Sequence, residues 1–159
     1  MIMFSTAQVM RTVDKEKYAP IVSEMLKELL YGGYLSEDAL LENVSISGNP
    51  VNTPTGRIIN PGHSLECAWF LMTEGIYLKD NKIIEQATKI IDFSTKRGFD
   101  NGGIIAFADV SGKPPVALEW DMKLWWPQCE AMIANRLAYE NTKIQKYKVD
   151  FDILEEYAY

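Results

Sequence analysis

Six stretches of this chain carry apolar residues at helical spacing, and the connections between them alternate short and long. That rhythm restricts the fold more than any other feature of the sequence. Met3, Ala7 and Met10 predict a helix over residues 1–12. Ile21, Met25, Leu26, Leu29 and Leu30 predict a second from Asp14 to Tyr31, closed by Gly32-Gly33. Asn60 is a good N-cap, and Pro61 sits where a missing N–H does no harm, so a third helix runs from there to about Tyr77. Asp80 or Asn81 opens a fourth, through Ile83, Ile84, Ala87, Ile90, Ile91 and Phe93 to Gly98. A fifth is expected from near Pro127 to about Glu140, with Met132, Ile133 and Leu137 on one side. The tail, Lys143 to Tyr159, is amphipathic and reads as a sixth.

The connections read differently. Leu40, Leu41, Val44 and Ile46 suggest a short strand pair or an irregular excursion within 34–59, with turns at Asn49-Pro50 and Thr53-Pro54-Thr55-Gly56. Gly103 to Asp109 is strand-like, and Ser111 to Pro115 is a turn. No glycine-rich phosphate loop and no alternation of strand with helix is present. The expected fold is all-α: one domain over 1–159, built of helical hairpins whose long loops gather at one end, as in an α/α solenoid or toroid, with short β pieces in those loops.

Composition narrows the partners. With 159 residues and a net charge of -6, the chain has no basic stripe to attract nucleic acid or an anionic membrane. No apolar run approaches the about 20 residues that cross a bilayer. The start, MIMFSTAQVMR, lacks the basic head of a signal peptide and reads as a helix face. Cys67 and Cys129 are too few for a disulfide framework and read as buried thiols in a reducing cytoplasm. Three of the four tryptophans fall between Trp120 and Trp126, the first compositional sign of a site.

His63 is the only histidine, which excludes a multi-histidine metal centre. It sits in the first turn of its helix, where the positive end of the helix dipole disfavours imidazolium. A histidine kept neutral there suits a general base, and Gly62 leaves room for a ligand. Glu66 and Trp69 follow at intervals of three, so base, carboxylate and aromatic plate share one stripe. A second cluster runs from Glu119 to Glu130. Trp126 and Glu130 lie four apart at a helix start, an indole and an acid on one face, as a sugar site asks. Trp125 and Trp126 cannot both face one pocket, so one of them is expected in the core. Arg57 lies just before the His63 helix, within reach of a hydroxyl-rich or anionic ligand. The bland readings are a histidine bonded within its helix start, a loop arginine on the surface, and solvated carboxylates. Hydrolysis of a glycoside by Glu66 and Glu130 also stays open.

The run Gly56-Arg57-Ile58-Ile59-Asn60-Pro61-Gly62-His63-Ser64-Leu65-Glu66-Cys67-Ala68-Trp69 resembles one signature of the N-acylglucosamine 2-epimerase family, and Lys123-Leu124-Trp125-Trp126-Pro127-Gln128-Cys129-Glu130-Ala131 resembles the second. The resemblance implies an (α/α)6 barrel that interconverts N-acyl-D-glucosamine and N-acyl-D-mannosamine at C2, without a required cofactor. Relatives epimerise cellobiose or isomerise mannose. By resemblance His63 is a catalytic histidine, Glu66 and Glu130 stand beside it in the catalytic set, and Arg57, Trp69 and Trp126 bind the sugar. Family members are well over twice this length and carry a second catalytic histidine with no counterpart here. The resemblance therefore implies the central portion of a barrel, incomplete in this chain. An inactive sugar-binding remnant, a nucleotide effector and pairing with a second copy all stay open.

The chemistry sets a requirement. The C2 proton of an open-chain aldose is acidified by the C1 carbonyl. Inversion removes it on one face and returns a proton on the other, which takes two acid–base groups. Isomerisation to a ketose needs one.

Overall fold

The computed structural model describes residues 1–159, and it is helical with a few very short strands. Six helices follow the expected segments: α1 (Ile2–Arg11), α2 (Lys15–Tyr31), α3 (Pro61–Leu78), α4 (Asn81–Gly98), α5 (Trp125–Thr142) and α6 (Gln145–Ala158). Local chemistry fixes their starts. The side chains of Asp14, Asn60 and Asp80 accept the N–H groups of Lys17, His63 and Lys82, each satisfying one of the donors that a helix start leaves without a partner.

Successive helices form antiparallel hairpins. The last turn of α4 returns to the first turn of α3, where Gly98 lies so close to Pro61 that a Cβ at 98 would stand 2.4 Å from the proline ring. By contrast α3 and α5 run the same way: Gly62 abuts Trp126 and Pro127, and Trp69, two turns on, meets Glu130. α1 runs with them, its first turn near His63 and its last at Glu74. Three parallel helices with three returning ones are the alternation that a toroid of helical hairpins needs.

Burial separates the two kinds. α3 is buried on most sides, with Leu65, Cys67, Ala68, Leu71 and Met72 all sealed from solvent. α4 is amphipathic and buries one stripe, Ile83, Ala87, Ile90, Ile91 and Phe93. α5 buries Ala131, Ala134 and Ala138 with Asn135. Met132, Ile133 and Leu137 share one side, as expected, along a shallow groove against Phe151 of α6, with Met132 and Leu137 half-buried against the core and Ile133 exposed. A buried ion pair locks α1 to α3: the Arg11 guanidinium forks onto the Glu74 carboxylate at 2.7 and 2.9 Å, and Gln8 adds a third donor.

The long loops lead into the starts of α3 and α5. Residues 34–59 are irregular, with isolated bridges Leu35–Leu40 and Val44–Pro50 instead of a strand pair. The strand-like stretch 103–109 splits in two. β1 (Ile58–Ile59) pairs with β4 (Ala108–Asp109), stitching the two loops together, and β2 (Phe99–Asp100) pairs with β3 (Gly103–Ile104) as a hairpin. Gln128 of α5 clips that hairpin: its side chain accepts the Ile104 N–H at 2.7 Å and donates to the Ile104 carbonyl at 2.8 Å.

Candidate functional site

Along the first half of α3 only every third residue meets solvent. His63, Glu66 and Trp69 are half-buried, and the residues between them are buried. A helix so enclosed opens one narrow window, and a base, an acid and an indole fill it. α5 closes the window from the side. The ring centroids of His63 and Trp126 are 5.2 Å apart at 33°. The Trp69 Nε1–H donates to Glu130 Oε2 at 2.6 Å, a short, charge-assisted bond. Five of the six expected site residues therefore come together.

Arg57 is placed elsewhere in its loop. Its Nε–H donates to Asp109 Oδ2 at 3.0 Å and one NH1 hydrogen to Asn52. Asp109 is buried and pairs opposite Ile58, so Arg57 fastens the β1–β4 junction from which the His63 helix departs.

Two details reverse the sequence expectations. The space beside Gly62 is filled by protein: a Cβ there would lie 2.7 Å from the Trp126 ring and 2.9 Å from Pro127. The glycine serves the meeting of two helices. His63, moreover, is not pushed toward the neutral form. Glu42 Oε1 and Oε2 both lie 3.2 Å from its Nδ1. That hydrogen bond raises the imidazole pKa above its ordinary value, against burial, with the charges of Glu42 and Glu66 adding to it. Glu42 was missed as a site residue. It stands twenty-one positions before His63 in an irregular loop, where no periodicity marks a side chain for a role.

Glu66 also holds its proton more tightly than an ordinary carboxyl, through burial first and the negative charge of Glu130 second. The window thus contains an imidazole and a carboxyl that each hold a proton more tightly than usual, two groups suited to moving protons. Trp125 is exposed and takes no part in the core, while Trp126 turns inward. Cys67 is buried behind the window, its thiol pushed up to about 12 by burial, and is inert; Cys129 is partly exposed. No group of three His, Cys, Asp or Glu side chains is gathered as a metal cage, and no helix is long and apolar enough to cross a membrane. Beside His63 and Glu42 lies a cavity of about 390 Å3 with mostly apolar walls, among them Phe4, Met25, Leu29 and Tyr34.

Residues 31–158 match the family described as N-acylglucosamine 2-epimerase (GlcNAc 2-epimerase). The chain is 41% identical to the N-acylglucosamine 2-epimerase of Bos taurus over 107 residues, 65% of this chain and 25% of that protein. It is 33% identical to the Homo sapiens enzyme of the same name over 148 residues, 89% of this chain and 35% of that protein. The chain thus spans about a third or less of the length of the curated relatives it matches. In three dimensions it superposes on a D-mannose isomerase with a TM-score of 0.80 at 21% identity, covering 97% of this chain and 40% of that one. That likeness shows the fold, a portion of the α/α barrel that the family resemblance implied.

Proposed function

Because the chain belongs to the N-acylglucosamine 2-epimerase family, we propose that it carries one face of a sugar 2-epimerase site, interconverting N-acyl-D-glucosamine and N-acyl-D-mannosamine. The observation that carries this reading is the open stripe on α3, His63, Glu66 and Trp69, closed by Trp126 and Glu130 of α5.

Each group has a role in the chemistry. His63 removes the C2 proton of the open-chain sugar and, in the reverse direction, returns it. Glu66, which retains a proton readily, donates a hydrogen bond to the C1 oxygen and stabilises the enediolate as charge moves onto it. Trp126 and Trp69 present flat apolar surfaces to the C–H faces of the sugar, and Glu130, held by Trp69, accepts a hydroxyl proton. C2 also bears the acylamino group. When His63 reaches the C2 proton, that group falls beside the imidazole, and the apolar cavity there suits its alkyl part. Inversion also takes a proton returned on the opposite face by a second acid–base group, beyond this one-face set; the reaction is proton transfer throughout and calls for no cofactor. Free thiols at 67 and 129 suit a reducing cytoplasm.

The test is incubation of the chain with N-acetylmannosamine in deuterium oxide, followed by proton NMR at C2. The expected result is loss of the C2 proton signal, slowed by about 10²–10⁴-fold in His63→Asn, the usual contribution of a general base. Deuterium at C1 of a ketose product would assign an aldose–ketose isomerase instead. Absence of any exchange in a folded chain would sink the reading.

A further inference from the structure

We propose that Glu42 is the positioning residue of this site, taking the Nδ1 proton of His63 and so leaving Nε2 as the atom that works on the sugar; the second half of this statement rests on the function proposed above.

The geometry is specific. Nδ1 is 3.2 Å from each oxygen of one carboxylate, so the ring edge points at the middle of the group. The loop that carries Glu42 is anchored immediately before it. Ala39, Leu40 and Leu41 are buried, Ala39 and Leu41 pack with Ile59, and the Leu41 N–H donates to the Tyr34 carbonyl at 2.8 Å. On the other side the Trp126 ring stands 5.2 Å from the imidazole. Below, the backbone of His63 is fixed by its N–H bond to the Asn60 side chain. A ring held by a carboxylate at one edge and an indole beside it has little freedom to flip.

The consequence is tautomeric. A carboxylate at Nδ1 selects the form protonated there, so the lone pair sits on Nε2. The charged groups facing the imidazole are Glu42 from the loop and Glu66 from its own helix; α5 sets the neutral Trp126 against it. The two carboxylates support the imidazolium and burial opposes it. Side-chain exposures of 40% for His63 and 32% for Glu42 leave the pair open enough to titrate with solvent.

The lone histidine makes the experiment clean, since one imidazole gives one set of signals. Nitrogen-15 NMR of the free chain is followed against pH in wild type, Glu42→Gln and Glu42→Ala. Wild type is expected to show the Nδ1–H tautomer and a midpoint above that of an ordinary histidine. Glu42→Gln keeps an acceptor but loses the charge, so its midpoint falls while the tautomer stays. Glu42→Ala loses both, and the ring shifts toward Nε2–H. C2 exchange slows in Glu42→Ala, by less than the about 10²–10⁴-fold lost with the base itself, and Glu42→Asp restores part of it. An unchanged midpoint and tautomer in Glu42→Ala would overturn the proposal. The expected NMR shifts without any C2 exchange in wild type would instead leave the pairing in place and remove the epimerase reading.

Discussion

The indole of Trp69 and the carboxylate of Glu130 are joined across two parallel helices by a bond of 2.6 Å. The bond holds one oxygen of Glu130 and leaves the rest of the group to the window. Trp69→Phe keeps the ring and deletes the donor. The expected loss of stability is about 1.5–3 kcal/mol, the range for a hydrogen bond to a charged group. Because Glu130 then loses its orientation, KM for the sugar rises more than kcat falls. Urea denaturation and steady-state kinetics on the same variant check both parts.

Glu66 supplies a prediction in pH. Its native carboxyl binds a proton more tightly than the unfolded chain does. Its contribution to stability is therefore complete below the ordinary carboxyl value and is lost as pH rises through the raised one. Ionised Glu66 is a cost near neutrality, and Glu66→Gln removes it. The variant is expected to melt higher than wild type at pH 8 and at the same temperature at pH 4, while C2 exchange falls because an amide N–H is a weaker donor to the C1 oxygen than a carboxyl O–H. His63 follows the same sign with a base's numbers: its stabilisation is full below about 6.5 and fades above its raised value. A melting profile from pH 4 to pH 9 reads both.

Gly62 is required by contact and not by backbone angle. A methyl at 62 meets a tryptophan ring and a proline ring, and one of them must shift to admit it. Gly62→Ala is expected to cost about 1–3 kcal/mol through overpacking. The displaced Trp126 moves off His63, so its fluorescence shifts and C2 exchange falls together. An alanine variant that matched wild type in both would show the helix starts to be looser than described.

The Arg11–Glu74 fork tests the attachment of α1. Arg11→Met leaves a buried carboxylate with only Gln8 as a partner. The expected loss is about 3 kcal/mol, and Arg11→Met/Glu74→Leu is expected to regain most of it. Thermal melts of the two variants decide the matter.

Much of this was legible because helix starts are written locally. Asp14, Asn60 with Pro61, and Asp80 mark three of them, and each proves to be a capping residue. The three-residue spacing of His63, Glu66 and Trp69 likewise places them on one stripe before any packing is known. What was not legible depends on neighbours distant in sequence. Glu42 reaches His63 only through the irregular course of residues 34–59. The sealed face of α5 could not be read from size, since alanines form it while Met132 and Leu137 pack half-buried at its margin. The direction of the His63 shift was misjudged for the same reason: the helix end is visible in the sequence, and the Glu42 carboxylate against the ring is not.

The β1–β4 junction and the Gln128 clip place both long loops at the starting ends of α3 and α5, while the sealed alanine and leucine contacts lie further along those helices. The window residues themselves ride on α3 and α5, and the Trp69–Glu130 bond belongs both to the window and to the joint between the two helices. A change that loosens that joint therefore blurs the window at the same stroke, whereas a change in the outer course of residues 111–118 leaves both untouched.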